Sequence, residues 1–185
     1  AAKEKIPADL YQSSMDALTT GVNDGVRLFI NIIAMLLVFT ALVALVNYSL
    51  AAAPEVMGAP LSVERVLGWV FAPLVWLAGI PWAEAQDAGS VMGFKTALNE
   101  IFAYAELAAR AEDLSPRTAL IMTYAVCGFA NFSSVGILVG GLIAVAPSRR
   151  ADILDLAPRA LISGTLATLM TGAVIGALPG GLFGL

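Results

Sequence analysis

The stretch VMGFKTALNEIFAYAELAA, residues 91–109, decides how this chain folds. Its two apolar pieces, Val91 to Leu98 and Ile101 to Ala109, flank Asn99-Glu100. Each is far shorter than the roughly 20 apolar residues a helix needs to cross a bilayer. Two short arms around a polar tip predict a helical hairpin over 85–111 that enters and leaves a membrane from one side. Broken backbone at membrane depth is tolerated only where protein or a water-filled cavity covers it. A surrounding bundle is therefore required, built from more chain than is present here. A carboxylate at that depth costs on the order of 3 kcal/mol, so Glu100 either serves function or pairs with Lys95, five residues earlier.

Composition supports a membrane setting. Hydrophobic residues make up 59% of the 185 and charged residues only 13%, against about 25% charged in a soluble domain; the mean hydropathy is +0.84. No Asp, Glu, Lys or Arg occurs over 28–54, 66–83, 118–148 or 160–185. Three of these gaps can span a bilayer, and 66–83 is marginal. The net charge of -4, without any run of Lys and Arg, excludes nucleic acid as a partner. One cysteine, Cys127, and no histidine exclude a disulfide framework and the common zinc spacings. No metal site and no cofactor is expected. Ala1 to Leu10 carries no signal-peptide pattern, and the absence of an initiating Met makes a fragment the expectation.

Along the chain, Leu10, Tyr11, Met15, Leu18, Val22 and Val26 recur at helical spacing, predicting an amphipathic segment on the membrane surface over 1–25. A spanning helix follows over 26–50, with Asn31 and Asn47 near its ends as interfacial residues. Pro54, Gly58 and Pro60 break it. The 61–81 segment, marked with Trp82 by Trp69 and Trp76, reads as an interfacial helix, although packing against a neighbouring subunit would give the same sequence. After the hairpin, Ser115-Pro116 starts a helix that runs over 116–146 and is interrupted by Gly128, Asn131, Ser133, Ser134 and Gly136. Pro147 ends it, and a last spanning helix covers 156–178. The fold class is an all-α integral membrane protein with about three crossings, one re-entrant hairpin and interfacial helices. Lys3, Lys5 and Arg27 mark one cytoplasmic loop and Arg149, Arg150 and Arg159 the other, which puts the hairpin base and the C-terminus outside.

The second polar cluster, Gly128 to Gly136, lies inside a run without charges. In transporters such discontinuous helices bring polar groups to a substrate near the midplane. Glycine and serine also serve close packing, and Gly136 with Gly140, like Gly172 with Gly176, fits that pattern. Glu100 and Asn131 as acceptors, with Ser134 as donor or acceptor, suit a neutral, hydroxyl-rich solute, since a carboxylate can accept both hydrogens of a vicinal diol. Phe129 or Phe132 could cover a flat apolar face. Three other readings stand beside this one: a transporter of another polar solute with protons carried by Glu100, a hydrolase using Ser133 or Ser134, and a structural membrane subunit. The hydrolase lacks a general base, because there is no histidine and Lys95 has a nearer acid.

These residues carry a resemblance. Asn99-Glu100 followed by Phe102-Ala103-Tyr104, and then Cys127-Gly128-Phe129-Ala130-Asn131-Phe132-Ser133-Ser134-Val135-Gly136, resemble the C-terminal half of the concentrative nucleoside transporters. Further similarity runs through Met15-Asp16-Ala17, Gly21, Asp24-Gly25, Phe71-Ala72-Pro73-Leu74, Ser148-Arg149-Arg150 and Gly164-Thr165-Leu166. The resemblance implies a ribose site at the hairpin tip, Asn99 and Glu100, completed by Asn131 and Ser134, with Phe129 on the pocket wall. It also implies a homotrimer, a substrate-carrying domain moving against a scaffold, coupling to Na+ or H+, and residence in the bacterial inner membrane. No catalytic residue is implied. The family usually reads Asn-Glu-Phe-Val-Ala-Tyr where this chain has Asn-Glu-Ile-Phe-Ala-Tyr. The first hairpin and following helix, which in the family recognise the base and bind sodium, are expected in an N-terminal half that this sequence does not contain.

Overall fold

The computed structural model describes residues 11–56 and 58–183. Lys3, Lys5 and the first ten positions of the expected surface segment lie outside the described residues. The described chain forms seven α-helices with two short 3-10 turns, Pro147–Arg149 and Gly180–Phe183.

The first helix, α1, runs without interruption over Ser14–Leu50. The boundary expected near residue 25 is absent, and Arg27 belongs to a helix rather than to a loop. No proline occurs within it, and its two glycines, Gly21 and Gly25, cost only about 1 kcal/mol each against continuing hydrogen bonds. Ser13 caps its start by accepting from the Asp16 amide, while the Asp16 carboxylate accepts from Gln12 N. At 1.5 Å per residue α1 reaches about 55 Å, so its apolar part can cross a bilayer with turns to spare. None of its residues is buried within the chain.

Helix α2, Val63–Leu77, turns at Ala78 to Pro81 into α3, Trp82–Ala97. Gly79 makes that turn possible with a φ of 101°. The two helices run antiparallel in close contact: a Cβ at Gly89 would lie 2.5 Å from the Gly68 carbonyl, and one at Gly93 would collide with the Glu64 carbonyl. Such contacts let backbones approach where larger residues could not. Trp76 and Trp82 meet edge to face across the turn, 6.0 Å between ring centres.

Helix α3 ends at Ala97, and α4, Glu100–Ala109, begins after only Leu98 and Asn99. Its return is antiparallel, because the end of α4 meets the start of α3: Arg110 pairs with Asp87 at 2.6 Å and Glu84 accepts from the Ser115 amide and hydroxyl at 3.1 and 3.0 Å. At sixteen and ten residues, α3 and α4 are about 24 and 15 Å long, both shorter than the roughly 30 Å hydrocarbon layer.

The expected discontinuous helix over 116–146 is two helices, α5 (Pro116–Ala125) and α6 (Phe132–Val145). Only Gly128 and Asn131 of the expected interrupters fall in the break; Ser133, Ser134 and Gly136 lie in the opening turns of α6. The last helix, α7, spans Arg150–Ala177 rather than beginning near residue 156, with Pro158 inside it. Its early start is favoured by two charge pairs on its first turns, Arg149–Asp152 at 2.6 Å and Asp155–Arg159 at 3.4 Å. By length and apolar character, α1 and Pro147–Ala177 can cross a membrane.

The core joins α2, α3, α4, α5 and α7, with Val75, Val91, Met92, Ile121, Met122 and Leu169 buried at its centre. Gly172 lets α7 settle on Ala125, and Gly176 meets the Ala78 carbonyl. Helix α1 stands outside this core. It contacts α6, where a Cβ at Gly136 would lie 2.9 Å from the Phe39 ring. It also contacts the start of α2 through Asn47, which donates to both Glu64 carboxylate oxygens at 3.0 Å and accepts from Val63 N at 2.8 Å. Asn47, read from sequence as an interfacial residue, is a tie between helices.

Candidate functional site

Two helix breaks converge on one cavity of about 640 Å³, within the 300–1,000 Å³ range of small-molecule sites. The α3–α4 break contributes Asn99 and Glu100, the α5–α6 break and first turn of α6 contribute Phe129 and Ser134, and α7 contributes Gly164 and Thr168. Ile32 and Leu36 of α1 form an apolar side.

Each break is held open by an asparagine. Asn99 is extended, with φ -166° and ψ 179°, and its Oδ1 accepts from the Ile101 and Phe102 amides at 2.9 and 3.2 Å. An N-cap satisfies donors that a helix start leaves unpaired, so the tip carries its own cap. Asn131 does the same for α6, accepting from Ser134 N at 2.7 Å. That bond fixes the orientation of its amide and turns Nδ2 towards Glu100, whose Oε2 accepts at 3.3 Å.

The five sequence candidates therefore come together with different geometry. Asn99, Glu100, Phe129 and Ser134 line the cavity. Asn131 does not: it is fully buried, with its oxygen capping α6 and its nitrogen holding Glu100. Phe129 is 76% exposed, an aromatic face with no core role. Ser133 is buried at 2% exposure and lies off the cavity wall. The Lys95 ammonium makes no ion pair with Glu100; it donates to Thr168 Oγ1 at 3.3 Å.

Sequence reading missed Thr168, Gly164 and the α1 pair. Gly164 and Thr168 are four apart and share one face of α7, a signal present but unremarkable in an apolar helix. Two close contacts seat the α5–α6 break on that face. A Cβ at Gly128 would strike Thr168 Cγ2 at 2.5 Å, and one at Gly164 would lie 3.0 Å from the Ala130 methyl.

Helices interrupted in pairs, with capped ends and one acid meeting at a cavity beside long, lipid-suited helices, have the character of an integral membrane protein. A family model described as Na+ dependent nucleoside transporter C-terminus matches residues 2–176, and the chain belongs to that family, the concentrative nucleoside transporters, as its C-terminal domain. It is 44% identical over 163 residues to an uncharacterized transporter of Bacillus subtilis, YutK, covering 88% of this chain and 40% of that one. Identity to nucleoside permease NupC of Helicobacter pylori is 36%, over 92% of this chain and 42% of the permease. A solved structure of CNTnw in its intermediate 2 state superimposes with a TM-score of 0.82 at 37% identity, covering 94% of this chain and 44% of the other. The chain thus spans about two-fifths of the length of these bacterial relatives.

Proposed function

We propose that this chain forms the C-terminal, ribose-holding half of a cation-coupled nucleoside transporter. The observation that carries the reading is the placement of Glu100: one carboxylate oxygen is held by Asn131, and the carboxylate shares a cavity with Ser134 and Phe129. Held in this way, the carboxylate is oriented before a substrate arrives, and its other oxygen has no partner among the described residues. A vicinal diol donating to it would make charge-assisted bonds, the Ser134 hydroxyl would add a neutral one, and Phe129 would cover an apolar face. Apart from Asn99 and Thr168 the rest of the wall is aliphatic or glycine, which favours a neutral solute over an ion.

The reading extends to the whole transporter. The α3–α4 hairpin enters the bilayer from the outer face of the bacterial inner membrane, α1 belongs to a scaffold, and the block of α2 to α7 carries substrate past it. Recognition of the base and of the coupling ion, Na+ or H+, falls to an N-terminal half, and the assembly is a homotrimer. The decisive experiment is uridine uptake by the full-length transporter carrying Glu100→Gln. Loss of a charged hydrogen-bond acceptor corresponds to about 1.5–3 kcal/mol, so affinity should drop by about tenfold or more while membrane insertion is preserved. Unchanged uptake would remove Glu100 from the site.

A further inference from the structure

Phe129 stands exposed on the cavity wall, yet the backbone on both sides of it is pinned. Before it, Gly128 rests on Thr168 of α7. A Cβ built at Gly128 would lie 2.5 Å from Thr168 Cγ2 and, its chain neighbours aside, would meet nothing else within 4 Å among the described residues except Thr168 Cβ at 3.9 Å. The backbone at Gly128 is not left-handed, so what glycine supplies there is room rather than conformational freedom. After Phe129, the Ala130 methyl meets Gly164, one turn before Thr168 on the same face of α7. The Asn131 amide then donates to the Phe129 carbonyl at 3.0 Å.

The methyl that fills the Gly128 notch is not free to turn. Thr168 donates its hydroxyl hydrogen to the Thr165 carbonyl at 3.0 Å and accepts from Lys95 Nζ at 3.3 Å. Lys95 is fully buried, and this hydroxyl is its one hydrogen-bond partner among the described residues. A threonine in a helix has two favoured rotamers, and leaving this one would break the Thr165 bond and strand a buried ammonium, which is costly. The same bonds leave the hydroxyl no hydrogen to offer a solute, although Thr168 lines the cavity. We propose that Thr168 is a positioning residue for Phe129: its methyl, locked by its own hydroxyl, seats the α5–α6 break at Gly128 and so fixes the aromatic ring on the cavity wall. This rests on the reading of Phe129 as the cover for an apolar face of the solute.

The test is uridine binding to the full-length transporter by titration calorimetry. T168S keeps the hydroxyl and removes the methyl, so the notch empties and affinity should fall by about three- to tenfold, the range that one aromatic contact is worth. G128A drives a methyl against Thr168 Cγ2 and should lower affinity to a similar degree. In G128A/T168S the methyl has changed sides of the notch, and affinity should return to within about twofold of wild type. F129A should bind more weakly by itself, and T168S should cost nothing further in that background. Wild-type affinity in T168S, the result for a threonine that meets the solute through its hydroxyl, would overturn the proposal. So would losses that add in G128A/T168S, or a T168S loss that persists undiminished in F129A. If G128A does not fold, the T168S loss with and without Phe129 decides alone. Wild-type affinity in F129A is a separate failure, of Phe129 as a pocket wall. Melting temperatures tell the two apart, because the methyl swap restores stability to G128A whether or not Phe129 meets the solute.

Discussion

Asn131 shows how much one side chain can decide here. Its oxygen ends the α5–α6 break by capping α6, and its nitrogen sets the position of Glu100. Asparagine suits both tasks because its amide carries an acceptor and a donor on one rigid plane. Asn131→Asp separates them. Aspartate caps helices as well as asparagine, so the full-length protein should fold with near-native thermal stability. The donor facing Glu100 is replaced by a second carboxylate at hydrogen-bonding distance, which repels it. Uridine affinity should fall by more than about tenfold at neutral pH; calorimetry showing wild-type affinity would mean that Asn131 serves only as a cap.

At the scale of elements, the glycines separate into those that permit a contact and those that do not. In the tight α2–α3 pair, a methyl group on Gly93 would collide with the Glu64 backbone, which cannot yield without moving α2. Gly140 in α6 has nothing within 4 Å. Gly93→Ala should therefore destabilise the protein by about 1–3 kcal/mol as overpacking. Gly140→Ala should stabilise α6 slightly, by about 0.5–1 kcal/mol, because alanine is the better helix former. Thermal melts of the two variants in detergent should move in opposite directions; a shared direction would contradict the packing described. The same distinction corrects the sequence-level pairing of Gly136 with Gly140. Of that pair only Gly136 is in close contact with α1, whereas Gly172 and Gly176 both seat α7 on its neighbours.

For the whole molecule, the main division lies between α1 and the packed block of α2 to α7. Helix α1 buries none of its residues, and its surface leaves Phe29, Leu37 and Leu45 more than 60% exposed, as lipid or a further protein partner allows. Its polar attachment to the block is the Asn47–Glu64 contact. Glu64 is only 4% exposed, so Asn47→Ala strands a buried carboxylate and should cost about 1–3 kcal/mol or more. A lower melting temperature for N47A, partly recovered in N47A/E64A where no charge is left stranded, would verify the tie. Equal melting of wild type and N47A would mean that α1 is held by its apolar contact with α6 alone.

What the sequence determined by itself is what depends on local chemistry. Charge-free runs required a membrane, two short arms around Asn99-Glu100 required a hairpin, and the polar cluster at Gly128 to Gly136 required a broken helix. All five candidate substrate residues were visible as polar or aromatic groups where apolar ones belong, and four of them line the cavity. Tertiary structure decided everything that depends on which faces meet. It made 14–50 one helix, since nothing local says where an uninterrupted helix leaves the bilayer. It turned Asn47 from an interfacial residue into a tie, and moved Asn131 from the cavity wall to a place behind Glu100. It also gave Lys95 a partner on α7, seventy-three residues away. A side chain's bonding capacity is written in its type, but the partner that satisfies it comes from packing, and here packing set the direction in which the Glu100 carboxylate can act.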